Sequence, residues 1–308
     1  MSKRIDFAKQ RKLQGRFSRS AIREVTELLQ SIAEQQGVDL RASLAEDLAR
    51  RRAEKRLLAE RLQESVSPLF IADGNGPPDR IGSCVLVRLD SEFFAFTASH
   101  VISEAGTARL LAPSGGKGGT LLPLPPCTAH LWTTGGDNDL DVAVLALPSR
   151  QLGCFQQRVF LSGSEIDQDD RPDDQGVASF YFVLGYSASR TQVKMDRVRR
   201  RHIDQRSFHC CTGPVSPAEY LEEELSQADH IALDFDHEEI VIEGRRNTAP
   251  KLQGVSGGGI FYISRETKHG PLVAIATQNR RPSRLILGTR IKHFIAIARE
   301  MKQYIPTR

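Results

Sequence analysis

The chain is short of several things, and each shortage excludes something. It has five Cys in 308 residues, a sparse and odd number that is a poor basis for a disulfide scaffold and fits a reducing compartment. No run of 18 or more apolar residues occurs, which excludes a membrane-spanning helix. The basic N-terminus has no apolar stretch behind it, so it lacks the pattern of a secretory leader. The net charge is only +4, too small to point to nucleic acid as a partner. What is present is globular in kind. The hydrophobic fraction is 40%, enough to build a core, and the length suits one large domain or two modest ones.

The texture divides the chain. Residues 1–23 hold eight Lys or Arg against one acid, Asp6. Ile22, Val25, Leu28, Leu29 and Ile32 then recur at helical spacing, and a second run from Arg41 to Glu64 carries Leu44, Leu48, Leu57, Leu58 and Leu62. Residues 1–66 are therefore expected to form a helical hairpin, its charged face either solvated or a docking surface. From Ser67 onward Pro68, Gly74, Gly76, Pro77 and Pro78 break the helical period. Short apolar runs come next, separated by turn residues: Cys84–Leu89, Phe93–Phe96, Thr107–Leu111, Val142–Leu147 and Val177–Leu184. The series continues with His230–Phe235, Ile240–Ile242, Gly259–Ile263, Leu272–Thr277 and Leu285–Gly288. Many short strands predict a mainly β sandwich or barrel. Lys292–Tyr304 returns to helical spacing. Pro113–Thr120 reads as a hairpin connection, and the acid-rich 162–176 and the stretch 196–225 read as long loops.

Three short motifs carry chemistry. In Thr97-Ala98-Ser99-His100 an apolar strand ends on a His flanked by small residues, as a general base requires, although a structural His has the same pattern. Asp139 and Asp141 precede the apolar run Val142–Leu145, where a carboxylate can fix a His tautomer or simply begin a strand. In Gly254-Val255-Ser256-Gly257-Gly258 a Ser lies among glycines ahead of a strand, so the N–H groups of Gly254 and Ser256 can converge on an oxyanion.

Taken together and in this order, the motifs resemble those of the chymotrypsin-like (trypsin-like) serine peptidases. The resemblance covers about residues 67–305. It implies two Greek-key β-barrels, about 67–150 and 151–308, with an N-terminal helical hairpin and a C-terminal helix. It also implies a triad of His100, Asp141 and Ser256, with Asp141 preferred over Asp139 because the family's acid directly precedes an apolar-Ala-apolar run. Gly254 and Ser256 become the oxyanion hole, and Pro250, Ala276, Thr277, Gln278 and Gly288 the substrate pocket. Pro250 stands at the pocket floor, so no carboxylate there favours Arg or Lys in the substrate.

The departures from the family matter too. Secreted members carry an Asp just before the catalytic Ser, and here that residue is Val255. This is closer to bacterial, intracellular HtrA-type members and predicts a cytoplasmic, prokaryotic endopeptidase that uses no cofactor or metal. A protein or peptide is the expected substrate, and a regulatory protein acting through residues 1–66 or the inserted loops the expected partner. Neither a membrane nor nucleic acid is expected. The competing reading is a peptidase-like binding module whose triad is idle. A zinc site at His202, His209, Cys210 and Cys211 matches no regular ligand spacing.

Overall fold

A computed structural model describes residues 57–72, 78–114, 120–124, 129–132, 140–148, 152, 155, 158–167, 180–195, 201–235, 240–242, 245–247, 252–263, 270–280 and 282–301. The expected helical hairpin lies outside these residues except for its end, where 57–63 are helical. That end is part of the β-rich body. Leu62 is buried in the main core, Leu58 and Ala59 pack against it, and the Arg61 guanidinium pairs with Glu165. The chain divides into Met1–Leu57 and Leu58–Arg308.

The described body is mainly β, in two antiparallel sheets and a small ribbon. The first sheet contains β1 (Val66–Ala72), β2 (Asp79–Leu89), β3 (Glu92–Thr97), β4 (Arg109–Pro113), β5 (Leu121–Pro123), β6 (Ala129–Trp132) and β7 (Val142–Ala146). Its order is β5-β4-β1-β2-β3-β7-β6. The second contains β8 (Phe180–Met195), β9 (Arg201–Thr212), β10 (His230–Asp234), β13 (Gly259–Ile263), β14 (Leu272–Arg280) and β15 (Leu285–Arg290). Its order is β10-β15-β14-β13-β8-β9, and β11 (Ile240–Ile242) pairs separately with β12 (Arg245–Asn247). Beside the helical residues 57–63, the described body contains α1 (Ser99–Ala105), α2 (Pro217–Glu222) and α3 (Ile291–Met301).

The two-residue strand period explains the core. Val85 and Val87 of β2 enter one cluster with Phe94 and Phe96 of β3, Phe182 and Leu184 of β8, and Phe261 of β13. Phe294, Ile297, Ala298 and Met301 of α3 join them at the helical spacing read from the sequence. The intervening Cys84 and Leu86 face a second cluster with Leu69, Ala95, Val101 and Phe155. Both faces of β2 are therefore buried. The segment 158–167 stitches the sheets together: Arg88 N–H donates to Leu161 O at 2.8 Å, and Asp167 N–H to Leu272 O at 3.0 Å.

Several sequence expectations require correction. Residues 196–225 are not one long loop, because Arg201–Thr212 forms β9 along β8 and Pro217–Glu222 forms α2. The charges of Arg201, Asp204 and Arg206 hid a strand whose pairing rests on backbone bonds. A strand also runs through Pro68, which had read as a breaker. Pro68 stands opposite Ser83, whose N–H goes to Ser256 O and whose C=O accepts from Thr97, so no ladder bond is lost there. β4 and β5 pair antiparallel on either side of the expected hairpin connection. Cys84, Cys210 and Cys211 are free thiols, and burial pushes the Cys84 thiol up to about 12. No helix among the described residues is long and apolar enough to cross a membrane.

Candidate active site

β3 delivers His100. The strand ends at Thr97, Ala98 turns the chain, and His100 is the second residue of α1 rather than a strand-end residue. β7 delivers Asp141, which directly precedes Val142. Because β3 and β7 are neighbours, with Thr97 opposite Ala143, the His and the carboxylate meet across one strand pair.

Asp141 grips His100 at two points. One carboxylate oxygen accepts the His100 backbone N–H at 3.0 Å, and the other lies 2.5 Å from ring Nδ1. The His100 side chain is 46% exposed and that of Asp141 13%, so the ring is open while its anchor is covered. The hydrogen bond to Asp141 raises the His100 pKa above 6.5 against the opposing effect of burial, with the charges of Asp141 and Glu104 adding to the rise. Burial acts to raise the Asp141 pKa, but the ring and backbone bonds from His100, its charge and the Ser99 hydroxyl together hold it below 3.8. Among the described residues Asp141 is the carboxylate that bonds His100. Asp139 lies outside the described residues.

Ser256 sits on a turn between the sheets, just before β13. Gly254 and Gly257 have φ of 84° and 83°, a left-handed backbone that favours glycine. Val255 N–H donates to Leu252 O, Gly257 N–H to Ala276 O and Gly258 N–H to Val255 O. Among the described residues no acceptor engages the N–H groups of Gly254 and Ser256, the two expected of an oxyanion hole. The Ser256 hydroxyl donates to Thr277 O at 3.3 Å. Val255 is buried in an apolar cluster with Leu252 and Tyr181.

β2 holds this turn through a residue that sequence reading missed. Ser83 is fully buried and makes four bonds: its N–H donates to Ser256 O at 2.8 Å, its hydroxyl donates to Gly254 O at 2.8 Å and accepts Tyr186 N–H at 3.0 Å, and its C=O accepts the Thr97 hydroxyl at 2.7 Å. A Cβ on Gly257 would stand 1.9 Å from Ser83 O and 2.3 Å from the Thr97 hydroxyl. A Cβ on neighbouring Gly82 would stand 2.6 Å from Val101, next to His100, and 3.2 Å from Ser256 O. The His-bearing helix and the Ser-bearing turn thus pack against the same stretch of β2. Arg80 adds bonds to Gln253 O at 2.9 Å and Gly254 O at 3.4 Å.

Of the expected pocket, Ala276 and Thr277 lie beside the Ser256 turn, and a register shift in β14 between Ala276 and Gln278 accompanies the Thr277 contact with Ser256. Gly288 is buried opposite Ala276, Gln278 is exposed, and Pro250 lies outside the described residues. In β9 the strand alternation places Cys210 and Cys211 on opposite faces, while His209 stacks on Phe182 with ring centroids 5.7 Å apart. The side chain of His202 lies outside the described residues. No protein-family model matches the chain, and no curated protein matches it.

Proposed function

We propose that the protein is a serine endopeptidase of the chymotrypsin-like type, its two sheets being the two Greek-key barrels of that fold. The observation that carries this reading is the two-point hold of Asp141 on His100, at 3.0 Å and 2.5 Å. It fixes the tautomer with Nδ1 protonated and leaves Nε2 as the base.

In this mechanism the Ser256 oxygen attacks the carbonyl carbon of a peptide bond while His100 Nε2 takes its proton. The carbonyl oxygen becomes an oxyanion held by the N–H groups of Gly254 and Ser256. As the C–N bond breaks, His100 returns the proton to the leaving amine and an acyl-Ser256 remains. Water, deprotonated by His100, attacks the ester, releasing the acid and restoring Ser256. Asp141 stabilises the imidazolium in both halves. Each oxyanion donor contributes about 10²–10³ in kcat. The substrate is a protein or peptide, and the wall at Ala276, Thr277 and Gly288 suits an uncharged side chain. Regulation by a protein partner through the N-terminal segment, and a cytoplasmic location, belong to the same proposal.

The second reading, an idle binding module, draws on the Ser256 hydroxyl bonding to Thr277 O and, among the described residues, not to His100. A fluorophosphonate probe separates the two. Labelling of wild type, absent in Ser256→Ala and His100→Ala, is expected of the peptidase. A folded wild type that never labels, with or without peptide ligands, means the idle module.

A further inference from the structure

A trans peptide is planar, so the C=O of one residue and the N–H of the next point in opposite directions. No cis bond occurs among the described residues, so each candidate oxyanion donor is aimed by whatever holds the carbonyl before it. For Ser256 that carbonyl is Val255 O, held at 2.8 Å by Gly258 N–H within the turn itself. For Gly254 it is Gln253 O, and its one partner among the described residues is the Arg80 Nη2–H at 2.9 Å. The two donors are therefore secured differently, one by local backbone and one by a side chain 173 residues away in sequence.

The setting of Arg80 fits such a task. No carboxylate pairs with it among the described residues, and its buried Nε has no partner. Burial lowers its pKa to about 10, which leaves it charged near neutrality. Its head group occupies the space beside Gly254, where a Cβ would fall 1.7 Å from Nη2. A half-buried cation whose hydrogen bonds go to two main-chain carbonyls is a costly device for packing alone, since neither carbonyl needs a full charge to be satisfied.

We propose that Arg80 is a positioning residue of the oxyanion site: by holding Gln253 O it turns the Gly254 N–H toward the position of the developing negative charge. This rests on the peptidase reading for its chemical meaning, although the aiming of the Gly254 amide is testable without it. In this role Arg80 acts through the Gln253–Gly254 peptide rather than on the reacting atoms. Its removal releases one peptide plane and leaves His100, Asp141 and the Ser256 amide in place.

The test uses full-length Arg80→Ala, Arg80→Gln and Arg80→Lys, with kinetics on a peptide substrate and NMR of protein labelled with ¹⁵N-glycine. Arg80→Ala is expected to lower kcat about 10- to 100-fold, short of the full loss of an oxyanion donor, with KM within about threefold. Arg80→Lys, which keeps the charge and a donor, restores part of kcat. The Gly254 amide resonance shifts or splits in Arg80→Ala, while that of Gly257, which has its own acceptor in Ala276 O, stays. Should Arg80→Ala fail to fold, Arg80→Gln carries the same expectations. An unmoved Gly254 amide overturns the proposal whether or not kcat falls. A wild type inert to fluorophosphonate overturns the peptidase reading alone, and the Gly254 amide still decides whether Arg80 aims that peptide.

Discussion

At the residue scale, Asp141 determines how His100 responds to pH. The raised His100 pKa means that its contribution to stability is full below 6.5 and is lost as pH rises through the higher folded value. The lowered Asp141 pKa means the reverse: its contribution is full above 3.8 and is lost as pH falls through the lower folded value. The pair therefore stabilises the fold most between those limits. On the proposed peptidase reading catalysis needs neutral His100, so kcat/KM should rise with a midpoint above 6.5. Asp141→Asn is expected to move that midpoint down and to lower kcat by about 10⁴, as the wrong tautomer is no longer excluded. A pH–rate profile with an unmoved midpoint would rule out the pairing in solution. His100 and Asp141, which the structure pairs, and Ser256 were legible as candidates because each stands in a short distinctive run. Ser83 and Arg80 were not, because their partners lie 171 and 174 residues away and nothing local distinguishes them.

At the element scale, β2 is the organiser. Its first half, with Arg80 and Ser83, locks the Ser256 turn, and its alternate side chains enter two cores. Ser83→Ala removes the bond to Gly254 O and leaves the Tyr186 N–H without its acceptor in a buried place. It is expected to destabilise the fold by about 1–3 kcal/mol, read as a lowered midpoint in chemical denaturation, and to slow Ser256 labelling. An unchanged midpoint would mean that water or another group replaces the hydroxyl. Strands buried on both faces, such as Gly259–Ile263 and Leu285–Arg290, were legible as short apolar runs set between turn residues. β9 was not, since its charged residues carry no apolar period, and β1 was masked by a proline whose harmlessness depends on where the Ser83 backbone points.

At the scale of the whole molecule, the expected boundary after residue 66 falls inside β1, and the helical residues before it pack into the core. A truncation that tests the N-terminal segment should therefore remove residues 1–56 and keep Leu58, Ala59 and Leu62. The shortened protein is expected to keep its melting temperature within about 2 °C and to lose partner-dependent control of Ser256 labelling. Unchanged control would assign regulation elsewhere, whereas a deletion through Leu62 should cost about 2–5 kcal/mol from that residue alone.

The cluster that takes in Leu62 also takes in Phe294, Ile297 and Met301 of α3. The start and end of the folded body thus complete one another, and synthesis proceeds from one to the other. Until α3 leaves the ribosome, the face of β3 and β7 that it covers has no lid, even though His100, Asp141 and Ser256 have all been made. A growing chain therefore carries the candidate site residues before it has the closed core that steadies them. On the proposed peptidase reading, timing alone would keep the nascent chain quiet beside the other newborn proteins around it.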